Sequence, residues 1–426
     1  MATDAKTAEQ VLQHIDPAEL AQLACHLVDH RSPTGHEAPL AEFILNWYAS
    51  HGIKPVRQEV EPGRPNAVGI LKGTGGGLSL MFNGHMDTSF TGTDEDRLIT
   101  PIDTNEDLGG RIEAGKVRGL GISNMKGGLA SFLTAANAIV KSGIKLKGDM
   151  ILAAVVGEIS RTPIGPYQGS DYRGEGIGTR HLLTHGVQSD YALVADGSDL
   201  NITWTQNGVV DLKITVFGNA KPAWNSDRAT EPSVNMNAIV KMAQVVEALD
   251  AWGAQYEATN VYESPTGPML PKVNVGAIEG GAPYKPNYFP GVCTIYLDVR
   301  IPPHIKPVSV QQEVENVLAN LGFEYDIEVY RTLRGYEGIG VEPLVRSIND
   351  AYMHLFGAKP EPENPRRASI WTDTNVYNEL GVPAVKIGPR GRTFHGRIEE
   401  VEIDEMVKAA KLYALVALDI CDRERK

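Results

Sequence analysis

Apolar and polar residues alternate along the first half of this chain with two different periods. Spacings of three and four residues predict amphipathic helices, and short continuous apolar runs bounded by glycine or polar residues predict buried strands. The first helix opens at Asp16-Pro17, a helix-start signal. The predicted elements are further helices at 37–51 and 129–140 and strands at 66–71, 78–82, 150–156 and 191–195.

The pattern changes near residue 208 and changes back near residue 331. Between them lie, in order, a strand (209–217), a helix (233–252), two strands (272–278 and 292–300), a helix (308–321) and a strand (325–330). A βαββαβ order is typical of a compact α+β sandwich. A helix at 344–356, a strand at 384–387 and a helix from 402 follow. We therefore predict a lid domain, 208–330, inserted into a catalytic domain formed by 1–207 and 331–426.

Composition narrows the class of protein. The 426 residues exceed one ordinary core, and 42% hydrophobic with 22% charged residues is typical of a soluble globular chain. A net charge of −13 argues against a nucleic-acid or membrane surface and leaves a small-molecule substrate as the expected partner. Scattered cysteines (Cys25, Cys293 and Cys421) and a polar N-terminus lead us to expect a cytoplasmic protein.

The candidate chemistry lies where predicted strands end. His85 and Asp87 follow the apolar run 78–82, Glu158 follows 150–156, and Asp196 follows 191–195. Sites in open α/β sheets form outside the carboxyl ends of the strands, so these side chains should converge. His85 can then bind a metal while Asp87 orients it.

These segments resemble a known family. The resemblance rests on residues 84–87, 123–128, 157–159, Asp196, 298–300 and His395. In this order they resemble the co-catalytic metallohydrolases that include glutamate carboxypeptidase, acetylornithine deacetylase, succinyl-diaminopimelate desuccinylase and the aminoacylases. The resemblance implies an α/β, zinc-peptidase-like catalytic domain with a mixed central sheet. It also implies that the inserted α+β sandwich is a lid and dimerisation domain, so we expect a homodimer or higher homo-oligomer.

The resemblance also implies roles for individual residues. Two zinc ions in the family share a bridging aspartate; His85 and Asp196 match ligands of the first. Asp87 matches the residue that supports this histidine, and Glu158 matches the general base. His395 matches the histidine that holds the second metal.

Three positions depart from the family pattern. Asn124 replaces the bridging aspartate, Ile159 replaces the second glutamate of a Glu-Glu pair, and Trp224 replaces a lid-domain histidine. The first two changes delete two negative charges, which matches the loss of one divalent cation. We therefore expect one metal per chain, manganese or zinc, held by His85 and Asp196.

Asn124 and His395 each have two possible roles. Asn124 either completes the metal ligands with its amide oxygen or only satisfies backbone groups in its turn. His395 either hydrogen-bonds the substrate or leaving group, or becomes a ligand if the metal lies off-centre.

Trp224 offers a stacking face where the family has an oxyanion donor, which suits a planar aromatic substrate, although a place in the domain core or dimer interface explains it equally. Arg334, and secondarily Arg300, could bind a substrate carboxylate. We therefore expect a metal-dependent hydrolase in which metal-bound hydroxide cleaves a C–N bond, with hydrolytic deamination of an aromatic amine such as 5-nitroanthranilate as the preferred reaction. The alternatives are an amide hydrolase of the aminoacylase or peptidase type, and a non-catalytic binding scaffold.

Overall fold

The computed structural model describes residues 5–99, 107–159, 163–225, 227, 236–389, 391–394 and 398–425. The helices are α1 (Ala5–Leu12), α2 (Pro17–Asp29), α3 (Ala38–Ser50), α4 (Gly127–Ser142), α5 (Ile177–Thr184), α6 (Ala238–Thr259), α7 (Pro307–Ala319), α8 (Glu342–Phe356), α9 (Pro365–Ala368), α10 (Asp373–Glu379) and α11 (Ile403–Asp422). The strands are β1 (Lys54–Glu61), β2 (Arg64–Leu71), β3 (Leu80–His85), β4 (Arg111–Glu113), β5 (Lys116–Arg118), β6 (Met150–Val155), β7 (Tyr191–Val194), β8 (Thr205–Gln206), β9 (Gly208–Phe217), β10 (Tyr262–Ser264), β11 (Gly267–Met269), β12 (Lys272–Gly280), β13 (Val292–Ile301), β14 (Tyr325–Leu333), β15 (Tyr336–Glu337), β16 (Ala384–Lys386), β17 (Gly391–Phe394) and β18 (Ile398–Glu402).

The chain forms two compact units. The first comprises Met1–Trp204, Gly338–Asn364 and Thr372–Lys426, and the second comprises Thr205–Glu337 and Pro365–Trp371. The predicted lid segment 208–330 lies within the second unit, which extends beyond it on both sides and adds the short segment around α9. None of the helices in the described part of the chain combines the length and the apolar character of a membrane-spanning segment.

A mixed six-stranded sheet organises the first unit. Its strand order is β1-β2-β6-β3-β7-β16, with β6, β3, β7 and β16 parallel and the β1-β2 and β2-β6 pairs antiparallel. The strands β3 and β6 are buried along their whole length, as their continuous apolar runs predict. Because β6, β3 and β7 run parallel, their carboxyl ends meet at one edge. The predicted mixed central sheet is confirmed.

Helix α4 is the centre of this unit's packing. Twelve of its 16 residues are buried, and it packs against α11, α2 and β3. Gly84 on β3 allows this close approach, because a Cβ there would lie 2.8 Å from Met125 Cε and 2.9 Å from a Leu129 methyl carbon. The glycine before His85 therefore sets how closely the start of α4 approaches the end of β3.

The core of the second unit is an antiparallel sheet packed against α6 and α7. Its sheet order is β12-β13-β9-β14, and alternate residues of β9 and β13 form its core with α6 and α7. This alternation is the period-two pattern predicted for the inserted α+β sandwich. The connection between α6 and β12 contains the short antiparallel hairpin β10-β11.

Candidate metal and catalytic site

His85 ends β3 and lies at the centre of the candidate site. Its side chain is 2% exposed, and its Nδ1 lies 2.9 Å from the backbone oxygen of Asp87. Donation from Nδ1 to that carbonyl places the lone pair of a neutral imidazole on Nε2. The backbone of Asp87 thus performs the orienting role that the sequence assigned to its carboxylate, whose Oδ1 is 3.5 Å away.

The Nε2 atom of His85 faces two oxygen donors. Asn124 Oδ1 lies 2.9 Å from it and Glu158 Oε2 lies 3.8 Å from it. An imidazole lone pair and an amide oxygen at this separation are both acceptors, so a proton or a cation must lie between them. The site is therefore built to receive positive charge.

Electrostatics support the same conclusion. Desolvation disfavours the imidazolium, yet the carboxylates of Glu158, Asp87 and Asp196 outweigh it and hold the pKa of His85 well above its usual value. Burial raises the pKa of Glu158 well above its usual value, and the charges of Asp373 and Asp196 add to this effect. Four acidic groups thus surround one imidazole. Asp196 itself is 9% exposed, and its Oδ1 accepts a hydrogen bond from Gly197 N.

The carboxylate of Asp87 holds the turn that carries Glu158. Its Oδ1 accepts from Glu158 N at 3.1 Å, and its Oδ2 accepts from Ile159 N at 2.9 Å. Thr34 Oγ1 donates to the same Oδ2 at 3.0 Å. Asp87 therefore ties the end of β3 to the end of β6, so that the ligand and the candidate base keep a constant separation.

Two further buried carboxylates belong to this region, and neither was predicted from the sequence. Glu399 Oε2 accepts from Ser123 N at 2.7 Å and from Asn124 N at 3.1 Å, and burial raises its pKa to about 7. Asp373 accepts from Thr179 Oγ1 at 2.8 Å, and burial raises its pKa to about 7. The only sequence signal is indirect: Thr372-Asp373 opens α10 as a helix cap.

The described residues contain no group of three or more His, Cys, Asp or Glu side chains that could hold a metal ion. The donor set next to His85 is nevertheless suited to one, because imidazole nitrogen, amide oxygen and carboxylate oxygen all bind Zn²⁺ or Mn²⁺. Two adjacent ligands of an octahedral ion, each about 2.1 Å from it, lie about 3 Å apart, whereas tetrahedral ligands lie about 3.4 Å apart. The 2.9 Å between His85 Nε2 and Asn124 Oδ1 is close to the octahedral spacing and shorter than the tetrahedral one. His85, Asn124 and Asp196 are the residues that would hold the ion.

The predicted substrate-binding residues all lie in the second unit. Trp224 is 70% exposed and makes an edge contact with Tyr288, with ring centroids 6.1 Å apart. Arg300 pairs with Asp298 at 2.8 Å, whereas the exposed Arg334 lies over the ring of Tyr336. Exposure excludes Trp224 from the core of that unit. His395 lies outside the described residues.

Comparison with known proteins places the chain in a class. The model of "Peptidase family M20/M25/M40" matches residues 81–419. The chain is 26% identical over 439 residues to N-formyl-4-amino-5-aminomethyl-2-methylpyrimidine deformylase of Bacillus subtilis, covering 96% of each chain. It is 24% identical over 411 residues to succinyl-diaminopimelate desuccinylase of Nitrosospira multiformis, covering 94% of this chain and 97% of that one.

A solved structure shares the fold. The chain aligns with a dinuclear metal-binding M20 peptidase of Bacillus subtilis at a TM-score of 0.62 and 15% identity, covering 94% of this chain and 97% of that one. The protein belongs to the M20/M25/M40 family of peptidases and related hydrolases. The family resemblance and the α/β fold class expected from the sequence are confirmed.

Proposed function

We propose that this protein is a hydrolase that uses one divalent ion, Mn²⁺ or Zn²⁺, to cleave the C–N bond of a planar aromatic amine. We further propose that it acts as a 5-nitroanthranilate aminohydrolase and releases ammonia. The observation that carries this proposal is the neutral amide of Asn124, 2.9 Å from His85 Nε2, where the family resemblance calls for a bridging carboxylate. A neutral ligand suits one ion better than two, because a second dication would lack a balancing charge.

Glu158 supports an enzyme rather than a scaffold. Its carboxylate lies 3.8 Å from His85 Nε2 with its backbone fixed by Asp87, so it is placed to accept a proton from a water near the imidazole. A bound cation would supply a Lewis acid that lowers the pKa of a coordinated water. Water oxygen then forms a bond to the ring carbon, the C–N bond breaks, and Glu158 passes the proton to the leaving nitrogen.

Amide hydrolysis is the second candidate, and the deformylase relative favours it. That relative is named for an N-formyl group on an aminated pyrimidine, which is also a planar ring. The same base and metal ligands could serve attack at a formyl carbon instead of a ring carbon. The two candidates therefore share a flat substrate and differ in the carbon attacked.

The products distinguish the candidates. Purified protein loaded with Mn²⁺ or Zn²⁺ is incubated with 5-nitroanthranilate, the N-formyl aminopyrimidine and N-succinyl and N-acetyl amino acids, with Glu158→Gln as the control. Ammonia release without formate, succinate or acetate supports the first proposal, and the reverse supports the second. Two tightly bound ions per active chain, counted by mass spectrometry of the metals, would refute the one-metal proposal.

Two further proposals concern the oligomeric state and the residues that bind the substrate. We propose a homodimer or higher homo-oligomer, which light scattering after size exclusion tests directly. We also propose that Arg334 and Trp224 bind the substrate, with Arg300 as the secondary candidate. Their alanine variants should raise KM for an aromatic carboxylate more than they lower kcat.

A further inference from the structure

The turn that carries Glu158 is held at three successive backbone amides. Gly157 N donates to Glu37 Oε1 at 3.2 Å, whereas the amides of Glu158 and Ile159 donate to the carboxylate of Asp87. Asp87 was predicted for this site, but Glu37 was not. The first of the three amides is thus held by a carboxylate from the N-terminal end of α3, a distant part of the chain.

Glu37 is held in turn by Arg64. Arg64 Nη2 donates to Glu37 Oε1 at 2.7 Å and Nε donates to Oε2 at 3.1 Å, a two-point contact. Glu37 is 0% exposed and Arg64 is 2% exposed. A buried arginine and glutamate paired at two points have little rotational freedom, so the carboxylate presents Oε1 to Gly157 in one orientation.

Arg64 also holds the segment on the other side of the turn. Its Nη1 donates to the backbone oxygens of Ser170 at 2.6 Å and Arg173 at 2.9 Å. Gly157 O accepts from Gly176 N at 2.9 Å. Gly157 has a φ of +60° and a Cβ there would meet Arg173 O at 2.8 Å, so glycine is required where this segment and the turn meet.

We infer that the Glu37–Arg64 pair is a positioning element for the general base, fixing the 157–159 turn so that the Glu158 carboxylate stays near His85 Nε2. This inference rests on the proposed function for the role of Glu158. Among the described residues, the side-chain hydrogen bonds of the pair go to Gly157, Glu61, Ser170 and Arg173 and to none of the candidate metal ligands. Its loss should therefore move the base without removing metal or substrate, and an error of about 1 Å in such a group can cost about 10²-fold in rate.

The experiment compares full-length wild type with Arg64→Met, Glu37→Gln, Glu158→Gln and a surface control, Arg57→Met. Arg57 lies on β1, pairs with Glu42 and Glu59, and is 45% exposed, so its loss removes the same arginine–glutamate chemistry from the surface without removing an acceptor of the three amides. Glu37→Gln keeps the side-chain shape if Arg64→Met fails to fold. The readouts are hydrogen–deuterium exchange at residues 157–159, kcat and KM, and metal content per chain.

The inference predicts exchange at residues 157–159 about tenfold faster in Arg64→Met and Glu37→Gln, since the acceptor of Gly157 N loses its two-point anchor in the first variant and its charge in the second. The kcat value should fall about 10²-fold while KM and metal content stay within about twofold, and Arg57→Met should match wild type. Unchanged exchange in both variants overturns the inference whatever the activity.

The remaining outcomes distinguish the inference from the proposed function. Faster exchange with unchanged kcat, in a protein that Glu158→Gln inactivates, refutes positioning by the pair and leaves the proposed function standing. A wild type without turnover, or Glu158→Gln with full turnover, refutes the role of the base and with it this inference. Exchange alone then decides whether the pair holds the turn.

Discussion

Replacing Glu158 with Gln is the most direct test of the chemistry. The change keeps the size of the side chain and removes only its charge and its ability to accept a proton. We expect kcat to fall by about 10²–10⁴-fold, the range that a positioned general base contributes, or about 3–5 kcal/mol of barrier. The fold should not change, because the two backbone bonds to Asp87 do not involve the Glu158 side chain.

The structure also predicts the effect on metal binding. Unit charges 3.8 Å apart, the separation of Glu158 Oε2 and His85 Nε2, interact by about 4 kcal/mol at an effective dielectric constant of about 20. A divalent ion beside His85 carries twice the charge of the proton that it displaces, so the same carboxylate stabilises the ion more than it stabilises the proton. The Gln variant loses that difference, so its metal affinity should fall moderately, whereas removal of a direct ligand should abolish metal binding.

The assay measures kcat on the substrate found for the wild type, together with metal content per chain after size exclusion. Aspartate at the same position is a useful control, because it retains a carboxylate but shortens the side chain by one methylene. Turnover of the Gln variant within about fivefold of wild type would refute the base assignment. A loss of metal with normal folding would show instead that Glu158 is a ligand.

Three further predictions test other parts of the structure. The double variant Asn124→Asp with Ile159→Glu restores two negative charges and should raise the metal count, measured by mass spectrometry, from one ion per chain towards two. Burial raises the pKa of Asp211 to about 6, so the folded chain takes up a proton that the unfolded chain binds only near pH 4. Urea titrations should therefore show the stability of wild type relative to Asp211→Asn rising by about 1–3 kcal/mol as pH falls from about 6 to about 4, and a difference independent of pH would contradict this. Lys386→Met should cost about 3–5 kcal/mol of unfolding free energy, because Lys386 and Glu363 form an ion pair with side chains 0% and 1% exposed and the change breaks this buried pair by removing one of its two charges.

Local sequence patterns were sufficient to predict the strands that are buried along their whole length. The apolar runs before His85, Glu158 and Asp196 predicted three strands, and the parallel order of β6, β3 and β7 brings their ends to one edge. Strand β1 was missed because its exposed edge residues include Lys54 and Arg57, which do not form an apolar run. The apolar pattern therefore predicted the centre of the sheet better than its edge.

The sequence by itself determined the family, the mixed α/β architecture and the candidate residues at the strand ends, because these depend on periodicity and on short contiguous motifs. Only the tertiary structure decided which side chains hold these candidate residues in place. Glu37 and Arg64 are 27 residues apart and reach a turn about 100 residues further on, and Glu399 reaches Asn124 across 275 residues. No local pattern marks such contacts, because a buried carboxylate acquires its role only from the amides and cations that folding places around it.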